Sequence, residues 1–255
     1  MSTDIKLVLL DIEGTTTSIS FVAEELFPYI RQHLRFYLES TWSTSQTQED
    51  LAHLSGLSIE DDAKGDKGFP LFNFNKGDGL TQERLDDAVK NVLSQMDVDR
   101  KSTALKALQG HMWKDGYASG QIKAHIYEDV LPSFERWKSK AVPIYIYSSG
   151  SIGAQKLLFA HTLYGDLSPY LVGHYDTTSG LKTESQSYEN ILKDINEKGR
   201  EIRAEEVLFV TDNILEAEAA TKVGMRCVLS VRPGTKELPA SHPFLAVSTF
   251  QSLPI

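Results

Sequence analysis

The chain opens on an unbroken apolar run, Leu7-Val8-Leu9-Leu10, with no polar residue alternating. That pattern predicts a strand buried on both faces, as in a parallel sheet. Behind it Val22, Leu26, Ile30 and Leu34 keep helical spacing. Ser20 is the expected N-cap, and Pro28 is expected to kink or break the helix. Residues 41–80 lose periodicity. They carry Ser/Thr/Gln runs, then Gly65, Gly68, Gly77 and Gly79, and read as loop or insertion. The stripe returns in Leu85, Val89, Val92 and Met96 behind a Thr81 cap. A further helix is predicted over about 100–115, with Leu105, Leu108 and Met112 inward and Gly116 as its stop. The whole stretch 20–120 thus predicts as helical, without a strong strand signal.

The pattern changes near residue 126. An amphipathic helix is predicted over 128–140, with Val130, Leu131, Phe134 and Trp137 on one side. Strands are predicted over 142–147, 170–176, 207–210 and 225–231, with a last short one over 246–250. Helices over 152–161, 187–197 and 214–223 alternate with them. Such alternation argues a parallel sheet covered on both faces. The opening strand has no companion nearby and most simply joins that later sheet. The helical stretch is then an insertion, and the fold class is α/β.

Composition supports one large domain or two modest ones. Of 255 residues, 41% are hydrophobic and 24% charged, which allows a sizeable core. The net charge of −9 argues against nucleic acid or an anionic membrane as partner. An anionic substrate would then need a local positive device, a metal or a placed lysine. The single cysteine, Cys227, fits a reducing compartment, and its apolar neighbours suggest a buried small residue rather than a nucleophile. No apolar run is long enough to span a membrane, the N-terminus does not read as a secretory signal, and the expected location is the cytoplasm. The seven histidines show no metal-ligand spacing, so zinc is not expected.

Candidate chemistry sits where the predicted strands end. The first ends in Asp11 and Glu13, followed by Gly14. The strand at 142 ends in Ser148 and Ser149. The strand at 207 ends in Asp212, with Glu216 about one helical turn on. Parallel strands bring such endings to one sheet edge, where open α/β sheets bind ligands. Carboxylates gathered there repel one another unless a hard cation such as Mg²⁺ sits between them. Ser148 and Ser149 precede a helix whose N–H groups can hold an anion, and Lys182 can supply further positive charge. Singly, each has a plainer reading: a polar turn for Asp11-Ile12-Glu13-Gly14, a helix cap for Ser149 or Asp212, a surface charge for Lys182.

Jointly, an Asp-x-acid-Gly-Thr motif after the first strand, a Ser after a middle one, a lone Lys and an Asp after a late one resemble the haloacid dehalogenase-like hydrolases. The likeness narrows to the enolase-phosphatase (acireductone synthase) family of methionine salvage. It is carried by Asp11-Ile12-Glu13-Gly14-Thr15-Thr16, Ser20-Phe21-Val22, Leu26-Phe27-Pro28-Tyr29, Gly116-Tyr117 and Ser119-Gly120-Gln121-Ile122-Lys123. The runs 145–151 and 154–159, Lys182-Thr183-Glu184-Ser185-Gln186-Ser187-Tyr188 and Val231-Arg232-Pro233-Gly234 carry it further. It spans nearly the whole chain and lapses over about 40–80. Glu13 departs from the Asp usual at this place in the wider superfamily, and agrees with the narrower family.

The resemblance implies a Rossmann-like catalytic core, residues 1–19 and 126–255, with an inserted all-helical cap over 20–125. It implies one Mg²⁺ per chain, held by Asp11, Asp212 and the Glu13 main-chain carbonyl. The substrate it implies is a phosphorylated diketone, 2,3-diketo-5-methylthiopentyl 1-phosphate. Asp11 is then the nucleophile that becomes an aspartyl phosphate, Glu13 the acid and base, and Lys182 with Ser148 and Ser149 the phosphate holders. Glu216 is expected to orient Lys182 or a metal-bound water. A monomer is the expected state, and the nucleus a second location. Three rivals stay open: a plain phosphomonoesterase of the same fold, a catalytically silent binding protein, and a dehalogenase, which would leave Asp212 unexplained.

Overall fold

The computed structural model describes residues 4–65 and 68–255; residues 66 and 67, inside the stretch read as loop, and 1–3 lie outside it. The chain divides into two compact units, Met1–Ala23 with Lys123–Ile255, and Glu24–Ile122.

The first unit is built on a six-stranded sheet. Its strands are β1 (Leu7–Leu10), β2 (Ile144–Tyr147), β3 (Leu171–Tyr175), β4 (Val207–Thr211), β5 (Arg226–Ser230) and β6 (Leu245–Val247). The order is β3-β2-β1-β4-β5-β6, and every pairing is parallel. The opening strand therefore joins the later ones and takes a central place, Leu10 lying opposite Ile146 on one side and Val210 on the other. All four residues of β1 are fully buried, which explains the absence of alternation. Leu7, Leu9, Tyr145, Tyr147, Val207 and Phe209 share one core cluster with Tyr188, Ile191 and Ile195 of α7 (Ser185–Glu197) and with Ala219 and Ala220 of α8 (Ile214–Lys222). Strand alternation turns Val8 and Leu10 the other way. A second group of rings, Phe134 and Trp137 of α5 (Val130–Ser139), Phe159 of α6 (Ile152–Ala160) and Phe250, packs together.

The second unit contains α1 (Phe27–Thr41), α2 (Ser45–Ala63), α3 (Gln82–Asp97) and α4 (Thr103–Ala118), and no strand among its described residues. Its core joins Ile30, Leu34, Leu38, Leu51, Leu54, Leu85, Val92, Leu105, Leu108 and Met112 to Phe72 and Phe74 of an extended segment.

Several expectations are corrected. Residues 41–80 are not all loop: α2 occupies 19 of them. Its inward stripe is Thr47, Asp50, Leu51, Leu54, Ser55, Ser58 and Asp61, so polar residues hold apolar positions. Each finds a tertiary partner. Ser55 Oγ accepts the Phe74 N–H (2.9 Å), Ser58 Oγ accepts the Phe72 N–H (2.9 Å), Asp50 meets His111 (2.8 Å) and Asp61 meets Arg100. Pro28, by contrast, does mark a break in the helix expected from residue 20 onward, because regular α-helix begins only at Phe27. A π turn at Val22–Leu26 precedes α1, and Pro28 sits in the first turn of α1, where its missing N–H costs nothing. Ser20 does not cap that helix; its hydroxyl meets that of Ser18 (3.0 Å). Gly116 does not stop α4 but lies inside it, where a Cβ would stand 2.6 Å from Ile122 Cδ1 and 2.7 Å from Tyr29 Cζ. No helix is long and apolar enough to cross a membrane among the described residues.

Candidate active site

Parallel pairing continues one residue past the strands. The Asp11 N–H donates to Val210 O (3.0 Å) and the Ser148 N–H to Tyr175 O (3.2 Å). Asp11, Ser148 and Asp212 therefore leave the sheet on the same edge. The loop after β1 is wound around one acceptor: the N–H groups of Thr15, Thr16 and Thr17 lie 3.2, 2.9 and 3.0 Å from Ile12 O. Gly14 turns this loop with φ +70°, and a Cβ there would stand 2.5 Å from Asp212 Oδ2. Only glycine lets the Asp212 carboxylate approach the main chain so closely.

The structure brings Asp11, Lys182, Asp212 and Glu216 together. Lys182 Nζ lies 2.6 Å from Asp11 Oδ1 and 2.7 Å from Glu216 Oε2. All three of those side chains are nearly buried. The loop before α7 delivers the lysine, and its carbonyl is fixed by the Tyr188 hydroxyl (2.6 Å). Thr211 Oγ1 lies 2.7 Å from Glu216 Oε2 and 3.5 Å from Asp11 Oδ2, so its proton serves the glutamate. Glu13, by contrast, is exposed.

The electrostatics follow from burial. Burial, then the charges of Asp11 and Glu216, pushes the Asp212 carboxyl up to about 7 against the opposing pull of Lys182. Burial and Asp11 also raise Glu216, although Lys182 and Thr211 stabilise its charged form. Burial works against the Lys182 ammonium, but Asp11 and Glu216 outweigh it and hold the lysine charged, above its ordinary range. When all ionise, Asp11, Asp212 and Glu216 set three negative charges against one positive.

Ser148 is buried and its Oγ accepts the Gly150 N–H (3.3 Å); Ser149 is exposed. The helix N-terminus behind them is less open than expected. Ser151, not Ser149, caps α6, and the Ile152 N–H is taken by Asp176 Oδ2 (3.2 Å). Exposed Ser149 is the more accessible donor.

Sequence reasoning missed three residues. Buried Gln155 donates through Nε2 to Gly150 O and Tyr175 O, both at 2.8 Å, and so ties the Ser148–Gly150 loop to β3. Thr211 and Asp176 were also unread. Thr211 could have been noticed as the neighbour of Asp212; Gln155 looks like any polar residue of a short helix. Cys227 is half-buried and burial pushes its thiol up to about 11, as suits a packed rather than a nucleophilic cysteine.

The donor set suits Mg²⁺. It is made only of oxygens, carries excess negative charge, and the glycine cradle brings Asp212 against the backbone next to Glu13. Among the described residues, no three His, Cys, Asp or Glu side chains converge closely enough to enclose a metal alone. Mg²⁺ commonly takes only one or two carboxylates and completes its shell with other oxygens.

A six-stranded parallel sheet with carboxylates and a lysine gathered at one edge fits a class of hydrolases. The model of the haloacid dehalogenase-like hydrolases matches residues 5–224. Enolase-phosphatase E1 of Naegleria gruberi is 46% identical over 249 residues, covering 97% of this chain and 94% of that protein. Enolase-phosphatase E1 of Xenopus tropicalis is 46% identical over 234 residues, covering 92% and 88%. The crystal structure of the UTR4 protein of Saccharomyces cerevisiae superposes with a TM-score of 0.76 at 34% identity, covering 98% of this chain and all of that one. The chain belongs to the haloacid dehalogenase-like hydrolases and, within them, to the enolase-phosphatase E1 family. Phosphatases of this kind generally use Mg²⁺.

Proposed function

We propose that this protein is the enolase-phosphatase of methionine salvage. It enolises 2,3-diketo-5-methylthiopentyl 1-phosphate and removes the phosphate, giving the acireductone 1,2-dihydroxy-3-keto-5-methylthiopentene. The observation that carries this is the near-full-length likeness to enolase-phosphatase E1 relatives. The glutamate two residues after Asp11, and the lysine held between Asp11 and Glu216, agree with it.

Asp11 attacks phosphorus, the bond to the enol oxygen breaks, and the Glu13 carboxylic acid gives that oxygen its proton. Water then attacks the aspartyl phosphate, losing its proton to the Glu13 carboxylate, and phosphate leaves. The Glu13 side chain is exposed, so water and an entering substrate can reach it. Lys182 lies within hydrogen-bond reach of Asp11 and so neutralises charge that builds on the phosphoryl oxygens. Glu216 holds the lysine from behind, and Ser148 and Ser149 bind the remaining oxygens. The Asp11 and Asp212 carboxylates with the Glu13 main-chain carbonyl would hold one Mg²⁺. When bound, the ion would supply Lewis acidity toward phosphoryl and diketone oxygens. We assign substrate selection to the helical unit.

The test is turnover of the diketo phosphate with enol absorbance and phosphate read in one mixture. Appearance of both, lost on chelation and restored by Mg²⁺, is the expected result. Phosphate from simple esters without enolisation would leave a plain phosphomonoesterase.

A further inference from the structure

Arg232 lies outside the constellation above, yet it is buried and fully engaged. Its Nε donates to Thr15 O (3.3 Å). Its Nη1 donates to Asp129 Oδ1 (3.0 Å) and Ser248 O (2.7 Å), and its Nη2 to Asp129 Oδ2 (2.9 Å). The guanidinium lies 4.3 Å from the Tyr127 ring centroid and 5.0 Å from that of Phe250. Asp129 in turn accepts from the Thr249 hydroxyl (3.1 Å) and the Phe250 N–H. A buried charge pair is a costly way to pin a C-terminal segment; well-packed apolar residues would often do as well.

The contact with Thr15 O suggests a second use. Thr15 is two residues beyond Glu13, in the loop wound on Ile12 O. The same loop is braced from Tyr127, whose N–H donates to Thr16 O (3.1 Å), and from His125, whose Nδ1 accepts the Ser18 N–H (3.0 Å). The Arg232 carbonyl accepts from both the N–H and the hydroxyl of Thr235. Thr235 Cγ2 would lie 3.0 Å from a Cβ at Gly14, so the turn that begins at Arg232 packs on the glycine cradle itself. A planar fork can reach these acceptors at once, which an ammonium cannot.

We propose that Arg232, anchored by Asp129, is a positioning residue that fixes the Glu13–Thr16 main chain in its working geometry. It acts through the Thr15 carbonyl and through the Thr235 turn. The activity arm of the test rests on the function proposed above; the exchange arm does not.

Two variants separate this role from mere pinning of the C-terminal segment. Arg232→Lys keeps a charge for Asp129 but loses the fork. Arg232→Met with Asp129→Asn removes both charges while the amide oxygen still accepts from Phe250 and Thr249. Backbone amide hydrogen exchange of the folded variants should show loss of protection at Thr15, Thr16 and Thr17, with the central strands still protected. With the diketo phosphate, kcat should fall by about 10- to 100-fold with little change in KM, the scale of a slight misplacement of reacting groups. Wild-type protection at 15–17 in folded variants would overturn the proposal, whatever happens to Tm. Should the double variant not fold, Arg232→Lys alone carries the same two readouts. If the wild type does not turn over the diketo phosphate, the functional reading fails while the exchange result still decides the role of Arg232.

Discussion

Lys182 Nζ stands 2.6 Å from Asp11 Oδ1, across 171 positions of sequence. The lysine is held on its other side by Glu216, itself supported by Thr211. The Asp11 carboxylate is thus held by a cation that has almost no freedom of its own.

In the proposed mechanism, replacing that cation removes one preorganised group from the phosphoryl oxygens. Lys182→Met should lower kcat/KM for phosphate release by roughly 10²–10³. Steady-state kinetics of the purified variant check this, and an unchanged value would return Lys182 to a structural role.

Asp212 gives a pH signature in metal-free protein. Its carboxyl ordinarily titrates at 3.8 and in the fold at about 7. Between these values the native state holds a proton that the unfolded chain has released. The stabilising share of this group is therefore complete below 3.8 and lost as pH rises through about 7. Asp212→Asn removes the dependence. The Tm of the variant relative to wild type should climb from acid to neutral pH and level off above that range. Mg²⁺ should raise the Tm of the wild type at neutral pH, and that of the variant much less. A pH-independent difference between the two proteins would refute this account of the carboxylate cluster.

Gln155 is expected to act on binding more than on turnover. Gln155→Leu leaves the Gly150 and Tyr175 carbonyls without their shared donor, at a cost to stability of about 1–3 kcal/mol. The Ser148–Gly150 loop should loosen, so KM for the phosphorylated substrate should rise more than kcat falls. A fall in kcat alone would argue that this loop does not bind phosphate.

Two helical glycines should respond with opposite sign. At Gly56 of α2 nothing stands within 4 Å of where a methyl group would sit, so Gly56→Ala should stabilise by about 0.5–1 kcal/mol through helix propensity. At Gly116 of α4 the methyl would collide with Ile122 and Tyr29, and Gly116→Ala should destabilise by about 1–3 kcal/mol. Thermal denaturation of both variants reads the signs directly.

The sequence by itself determined the elements whose signal is local. Leu7–Leu10 announces a doubly covered strand because burial on both faces leaves no polar position. Thr81 announces the start of α3 because a cap acts on the turn beside it; its hydroxyl accepts the Arg84 N–H. Asp11, Glu13, Ser148, Ser149 and Asp212 were legible as candidates because parallel strands send their ends to one edge, and Lys182 because an acidic chain with an anionic substrate needs a placed positive charge. Only the tertiary structure decided the rest. It made α2 a helix through Ser55, Ser58, Asp50 and Asp61, whose polar groups are affordable inside only because Phe72, Phe74, His111 and Arg100 complete their bonds. It set Pro28 at a helix start, gave Glu216 the Lys182 partner that the sequence had offered as one of two, and joined Arg232 to Thr15 across 217 positions. Hydrogen bonds between residues so far apart leave no periodicity in the chain, since each depends on a neighbour that folding alone supplies.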